Sequence, residues 1–308
     1  MAPRYIDASE LTRLLPVVEA IDVLQESFGA RQLPVAPPRS HVEVEGGTLL
    51  LMPASGDEGV GVKLVTVAPS NPARGLPFIN AVYVLFAAGS LEPLAIVEGN
   101  ALTALRTSAV SGLATKWLAR PDARHLVVFG AGTQAVAHLD AMVAVRAIDT
   151  VRVVSRTRAR AEALVERALR MNINAEVARA NAVADADIVC TCTTSTTPLF
   201  DGSLVPAGAH VNAVGAFEPH ARELDDALIE RSRIVVETRA AALAEAGDLL
   251  LPIGSGVIQE SDIVADLAEV VAGAEVRRGP EDVTVFKSVG VAFEDLVVAR
   301  AALDRVGA

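Results

Sequence analysis

The stretch "LVVFGAGTQAVAHL", Leu126 to Leu139, constrains the fold more than any other part of the chain. An apolar run enters a glycine-rich turn and leaves it in a helical pattern. Gly130, Gly132 and Ala135 satisfy G-x-G-x-x-A at that junction. The first glycine permits a tight turn, the second lets backbone approach a pyrophosphate, and the small third residue lets helix and strand pack closely. The helix N-terminus then favours negative charge. Taken alone, the pattern also fits an ordinary structural turn, so its context decides. From Leu126 onward, "HLVVFGAG", "TQAVAHLDAMVAV", "TVRVVSRT", "RARAEALVERALRMN", "ADIVCTCTT", "HVNAVGA" and "RIVVET" alternate strand and helix patterns. Continuous apolar strands separated by helices imply a parallel sheet covered on both faces. Residues 116–289 are therefore read as a Rossmann-type, doubly wound dinucleotide-binding domain in an α/β protein.

The texture before this region is different. "GGTLLLMPAS", "GVGVKLVTVAPSN" and "FINAVYVLFAAGSLEPLAIVEG" are runs rich in Val, Leu and Ile, punctuated by Gly, Pro, Asn and Ser. They predict a mostly antiparallel sheet. A helix is expected over Ser9 to Ala30 with Ser9 as its N-cap, and a second over Thr103 to Leu118, followed by the linker "ARPDARH". Ala292 to Val306 reads as a helix returning to the first region. Residues 1–115 plus 290–308 thus form an N-terminal α+β sheet domain. A chain of 308 residues, 51% hydrophobic, is long enough to bury both cores.

Charge and composition exclude several classes. Acidic side chains number 38 against 27 basic, and no Lys/Arg-dense block offers a footprint for a phosphate backbone, so no nucleic-acid partner is expected. Charges or prolines interrupt every apolar run before it reaches a membrane span, and "MAPRYIDASE" is polar where a secretory signal is apolar. A cytoplasmic protein with no membrane partner is expected. Cys190 and Cys192 lie two apart on an apparent strand and read as packing residues. His41, His125, His138, His210 and His220 have no metal-site spacing, so no metal is expected. Ser108 and Ser111 lack a His/Asp arrangement that would mark a nucleophile.

The end of the second strand of the parallel sheet refines the cofactor. An NAD site usually carries Asp or Glu there to hold the ribose hydroxyls, but this sequence has Ser155-Arg156-Thr157-Arg158. Arg156, flanked by the hydroxyls of Ser155 and Thr157, suits a 2′-phosphate. The alternative is a solvated basic helix start. The expected cofactor is NADPH, with NADH possible.

Together, "LLLMPAS", "GVKLVTVAPSNPARGLP", "EGNALTALRTSAVSGLATKWLARP", "FGAGTQA", "AVGAFEPHARELDD" and "TVFKSVGVAFED" resemble the ornithine cyclodeaminase/mu-crystallin family, in that family's order, from Arg39 to Asp295. The resemblance implies a sheet domain that binds substrate and forms a homodimer, a Rossmann domain, and a C-terminal segment that returns to the first. It places the substrate carboxylate on Arg39, Lys63 and Arg106. Lys63 sits in an apolar run and Arg106 in a helix of small and apolar residues, and a buried cation is costly unless paired. The alternatives are an outward edge-strand lysine for Lys63 and an internal salt bridge for Arg106. For the cofactor, the resemblance implies that Gly130, Ala131, Gly132, Thr133 and Gln134 cradle the pyrophosphate. Thr191 and Thr193 would lie beside the adenosine side, and Val214 and Ser288 near the nicotinamide; Ser288 also reads as a plain turn or cap.

Two departures narrow the activity. Where ornithine cyclodeaminases carry a glutamate before "LMP" and an aspartate after the "VG" strand, this sequence has Leu50 and Phe217. A diamine substrate needs a carboxylate to bind an ammonium group and accept its proton. Phenylalanine can do neither. The later blocks are similar to the mu-crystallin branch, which implies reduction by NAD(P)H of a cyclic ketimine such as pyrroline-2-carboxylate or piperideine-2-carboxylate. Arg39 and Arg106 would hold the carboxylate, Met52 and Phe217 would pack near the ring, and Lys63 would bind carboxylate and supply the proton. Two other readings stay open: a cyclodeaminase or amino-acid dehydrogenase drawing a carboxylate from Glu98, Glu218 or Asp225, and a non-catalytic NADPH-binding protein.

Overall fold

Alternating apolar and polar positions in the first hundred residues form a six-stranded sheet in the computed structural model, which describes residues 2–307. Its strands are β1 (Arg4–Ile6), β2 (Ser40–Val44), β3 (Gly47–Gly56), β4 (Gly59–Val67), β5 (Ile79–Phe86) and β6 (Pro93–Glu98), in the order β1-β6-β5-β4-β3-β2. All neighbours are antiparallel except β1 and β6. Because side chains alternate along a strand, Leu50, Met52 and Ala54 of β3 point to one face with Lys63 and Val65 of β4 and Tyr83 and Leu85 of β5, and all are buried. Lys63 therefore faces inward from a central strand. The outward edge-strand reading fails on that topology.

The expected single helix over Ser9 to Ala30 is two helices, α1 (Ala8–Leu14) and α2 (Val17–Phe28). Pro16 lacks an N–H and cannot continue a helix, so the chain restarts at Val17 with Pro16 as N-cap. Asp7, not Ser9, caps α1 by accepting from the Glu10 N–H at 2.8 Å. The next helix, α3 (Gly99–Leu118), begins four residues earlier than its sequence pattern indicates. The Glu98 carboxylate supplies the reason: it accepts from the N–H groups of Asn100 (3.2 Å) and Ala101 (2.7 Å).

The chain divides into two compact units, Met1–Arg106 with Val291–Ala308, and Thr107–Gly290. In the second, β7 (His125–Phe129), α4 (Thr133–Val145), β8 (Thr150–Val154), α5 (Arg158–Arg170) and β9 (Asn174–Val177) form one half of the sheet. The other half holds β10 (Ile188–Thr191), β11 (His210–Ala213), α6 (Asp226–Glu230), β12 (Ser232–Val236), α7 (Arg239–Glu245), α8 (Gly247–Gly254), β13 (Ile263–Asp266), α9 (Leu267–Val271) and β14 (Val283–Lys287). The order is β13-β12-β14-β11-β10-β7-β8-β9, parallel throughout. Strand order reverses between β7 and β10. Crevices at such switch points, outside the strand C-termini, are where open α/β sheets bind ligands.

The C-terminal helix, α10 (Ala292–Asp304), belongs to the first unit and packs on α2, β3 and β4. Phe293 meets Phe28 edge-on, ring centroids 5.1 Å apart. Every residue from Ala292 to Ala299 is buried, including Glu294 and Asp295. Among the described residues no helix is long and apolar enough to cross a membrane, and no His/Cys/Asp/Glu group could hold a metal ion.

Candidate active site

Two buried carboxylates in the apolar first half of α10 need cations, and the first unit supplies them. Asp295 lies 2.9 Å through Oδ2 from the Lys63 Nζ and 3.3 Å through Oδ1 from the Arg106 Nε. Glu294 Oε2 lies 2.9 Å from Arg106 Nη1. The internal salt bridge considered for Arg106 is thus present, and Lys63 is part of the same cluster. Register places Met52 directly across from Lys63 on β3, and Tyr83 across from it on β5. Arg39 precedes Ser40, which pairs with Leu51, so its backbone runs beside Met52. The structure thereby gathers Arg39, Met52, Lys63 and Arg106 from four segments. Phe217 belongs to the other unit, half-buried against its core.

Burial draws the Lys63 ammonium down to about 8, and the Arg106 guanidinium adds to the effect. Asp295 opposes both, and Arg39 contributes a smaller lowering. Lys63 is therefore charged at neutral pH yet able to give up its proton. The Tyr83 phenol is pushed well above its ordinary range, by burial first and Asp295 second, and so remains an O–H group.

In the second unit, Gly130 has φ of +102°, and a Cβ there would lie 2.4 Å from the Cys192 carbonyl oxygen. Only glycine fits this turn. Gly132 is different: nothing lies within 4 Å of the position its Cβ would take. It is the N-cap of α4, with no side-chain cap hydrogen bond. Gly132 and Thr133 are exposed, and the buried Gln134 Oε1 has no hydrogen-bond partner. An open helix start with uncapped N–H groups fits a pyrophosphate. At the end of β8, Arg156 and Thr157 are exposed, Ser155 is half-buried, and the Ser155 hydroxyl accepts from the Thr157 N–H at 3.2 Å.

Thr191, Thr193 and Ser288 have hydroxyls engaged within the protein. Thr191 and Thr193 donate to the buried Glu223 carboxylate at 2.7 and 2.6 Å, and Ser288 donates to Glu237 at 2.6 Å. Val214 is half-buried, its N–H bonded to the Thr191 carbonyl. The sequence reading missed Glu294, Asp295, Glu223, Asp248 and Lys287, all buried charges. For Glu294, Asp295, Asp248 and Lys287 the signal was present, a charged residue beside or within an apolar run as in "VAFEDLVVA", "GDLLLP" and "TVFKSVG"; Glu223, in "HARELDD", carried none.

The remaining polar candidates have structural partners. His138 and His210 are buried, where desolvation depresses their imidazoles to about 4 and about 3, and they bond to Ser111 and Thr284 respectively. Cys190 and Cys192 are free thiols. The three carboxylates that could stand in for the missing acid-base group are occupied elsewhere. Glu98 caps α3, Asp225 bonds the N–H groups of Gly202 and Leu228, and exposed Glu218 pairs with His220.

The sequence profile of the ornithine cyclodeaminase/mu-crystallin family matches residues 5–308. The chain belongs to this family. It is 38% identical to a Δ1-pyrroline-2-carboxylate reductase of Bacillus cereus, over 97% of this chain and 95% of that protein. It is 37% identical to the ketimine reductase mu-crystallin of Rattus norvegicus, over 98% and 97%. Among solved structures, the Δ1-pyrroline-2-carboxylate reductase of Thermococcus litoralis in complex with NADH and L-proline superposes with a TM-score of 0.92 at 34% identity, covering 98% of this chain and 97% of that one. Within this family member, Leu50 is buried one alternate position from Met52, on the face that carries Lys63. An apolar side chain therefore stands at position 50.

Proposed function

We propose that the protein reduces a cyclic ketimine 2-carboxylate, such as pyrroline-2-carboxylate or piperideine-2-carboxylate, to the cyclic amino acid with NADPH or NADH. The observation that carries this reading is the buried Lys63–Arg106–Asp295–Glu294 cluster, set among apolar neighbours that include Leu50. Such a surface suits one carboxylate and a hydrocarbon ring. Its two carboxylates are already paired with Lys63 and Arg106, which makes it a poor host for a diamine's second ammonium group.

When bound, a reduced nicotinamide supplies the hydride. Arg106 and Arg39 hold the substrate carboxylate as charge-assisted hydrogen-bond donors. Lys63 also binds the carboxylate and gives the Nζ proton to the imine nitrogen, which makes C2 electrophilic enough to accept hydride. An acid whose pKa lies near the working pH is suited to that transfer. Asp295 keeps Lys63 charged before the substrate arrives, and water returns the proton afterwards. Gly130 to Gln134 receive the pyrophosphate at the α4 N-terminus, and Arg156 the 2′-phosphate of NADPH. The ring packs near Met52.

A homodimer and a cytoplasmic setting complete the reading. On the second face of the six-stranded sheet, Leu51, Val60, Val62, Leu64, Val84 and Ile96 form a continuous half-buried apolar surface. Apolar patches of that kind mark association sites. The free thiols of Cys190 and Cys192 suit a reducing compartment.

The test follows nicotinamide absorbance with purified protein, NADPH or NADH, and each ketimine in turn. Cofactor oxidation with a preformed ketimine is the expected result. Oxidation only with a linear keto acid plus ammonia, or proline formed from ornithine, overturns the reading.

A further inference from the structure

Glu223 is fully buried in the second unit and contributes nothing to the chemistry described above. Its carboxylate nevertheless collects four hydrogen bonds. Oε1 accepts from the Thr193 N–H (2.9 Å) and hydroxyl (2.6 Å), while Oε2 accepts from the Thr191 hydroxyl (2.7 Å) and the Gly215 N–H (2.8 Å). One side chain therefore fastens the loop after β10 to the loop after β11. The fit is tight, since a Cβ on Gly215 would lie 2.4 Å from Glu223 Oε1.

A second buried carboxylate supports the first. Asp248 Oδ1 accepts from the N–H groups of Glu223 (2.7 Å) and Leu224 (2.9 Å), and Oδ2 lies 2.8 Å from the Lys287 Nζ. Lys287, at the end of β14, also donates to the Ala216 carbonyl. The nearby Arg222 guanidinium is paired with Asp226. Two buried carboxylates thus stand near one buried ammonium, which is paired with Asp248, beneath the C-terminal ends of β10, β11 and β14. Burial pushes the Glu223 carboxyl up, and Asp248 adds to this, whereas Lys287 and the two threonines hold it down.

Topology says which part of a dinucleotide these loops would meet. The residues suited to the adenosine ribose, Ser155 to Thr157, follow β8 on one side of the switch point, and β10 and β11 lie on the other. A dinucleotide spanning the crevice puts its nicotinamide on the β10–β11 side, so on this reading Thr191 and Thr193 lie toward the nicotinamide and not beside the adenosine, as the family resemblance had implied. That ring gains a positive charge when it gives up hydride.

Resting on the nicotinamide reading above, we propose that Glu223, backed by Asp248 and Lys287, is a positioning residue that also biases the bound nicotinamide toward its oxidised, cationic form. It sets the height of the Thr193 and Gly215 loops. Its excess negative charge favours the product of hydride donation, so the site is tuned for reduction of the imine.

The experiment measures the dissociation constants of oxidised and reduced cofactor separately, by calorimetry and by nicotinamide fluorescence, with folding checked by thermal melting. Glu223→Gln removes the charge, and its amide also opposes one of the two backbone N–H donors. Both affinities should fall, that for oxidised cofactor about tenfold further. Asp248→Asn keeps an oxygen for the two backbone N–H groups and removes the same unit of charge, so the ratio should move in the same direction. Thr191→Val removes a donor and leaves the charge, and both affinities should change by one common factor. An unchanged ratio in a folded Glu223→Gln protein overturns the proposal. If that variant does not fold, the ratio in Asp248→Asn decides by the same criterion. Wild-type protein that binds neither form would instead overturn the nicotinamide reading itself.

Discussion

Asp295→Asn is the sharpest perturbation of the substrate cluster, because it exchanges a charge for an amide of nearly the same shape. At 2.9 Å from Lys63, and with an effective dielectric of about 20, the lost attraction is on the order of 5 kcal/mol before relaxation. Breaking a buried pair typically costs about 3–5 kcal/mol. Asp295 is the group that opposes burial and Arg106 in holding Lys63 at about 8. Without it the ammonium becomes the minority form at neutral pH. The assay is kcat/KM for the ketimine as a function of pH, wild type beside variant. Wild type should hold a plateau on the acid side and lose activity as pH rises through about 8, where Lys63 gives up its proton. In the variant the same limb should move to lower pH, with activity at neutral pH down about a hundredfold and partly recovered in acid. Titration of the imine is common to both proteins and cancels. A uniform loss at every pH, with the limb unmoved, would refute the idea that Asp295 acts through the charge on Lys63.

Four further outcomes follow from the geometry. Arg156→Ala should lower kcat/KM with NADPH by about tenfold or more, the scale of a charge-assisted hydrogen bond, and leave NADH nearly unchanged; equal losses with both would remove Arg156 from the 2′-phosphate. Gly130→Ala, at φ of +102° and against the Cys192 carbonyl, should impair folding, whereas Gly132→Ala should melt like wild type and bind cofactor more weakly. Leu64→Arg, on the apolar sheet face, should yield monomers by light scattering if that face joins two copies. Lys63 is depressed from 10.5 to about 8, so the folded state binds fewer protons than the unfolded chain between those values. Stability should therefore rise by about 3 kcal/mol as pH increases through that window, and Lys63→Met should abolish the rise in denaturant titrations.

Much of this architecture was legible because local rules governed it. The strand, glycine turn and helix at Leu126 to Leu139 appear as β7, the Gly130 turn and α4. The change from punctuated strands to strand–helix alternation matches an antiparallel-rich sheet in one unit and a parallel sheet in the other. The errors were local too. Pro16 splits the helix expected over Ser9 to Ala30, and Asp7 captures the cap from Ser9 two residues away. Long-range charge pairing was not legible at all. Lys63 and Asp295 are 232 residues apart, and no periodicity relates them.

That separation explains why candidate cations were easier to find than their anions. Lys63 and Arg106 stand out in apolar runs and match a family pattern, but Glu294 and Asp295 sit in the first turn of α10, where acidic residues are also expected simply to favour the helix dipole. The dipole explanation suffices for an exposed helix start. It fails for one in which eight consecutive residues are buried, since a desolvated carboxylate there needs a cation and not merely a partial charge. Once α10 is docked on β3 and β4, Asp295 must pair with Lys63, and Glu294 with Arg106. The C-terminal helix is therefore what turns two costly buried cations into an ordered, paired cluster, with the buried apolar side chains of Leu50 and Met52 on the same sheet face as Lys63. A site so arranged is electrostatically suited to an anionic imine, and a diamine would bring it charges with no carboxylate left to receive them.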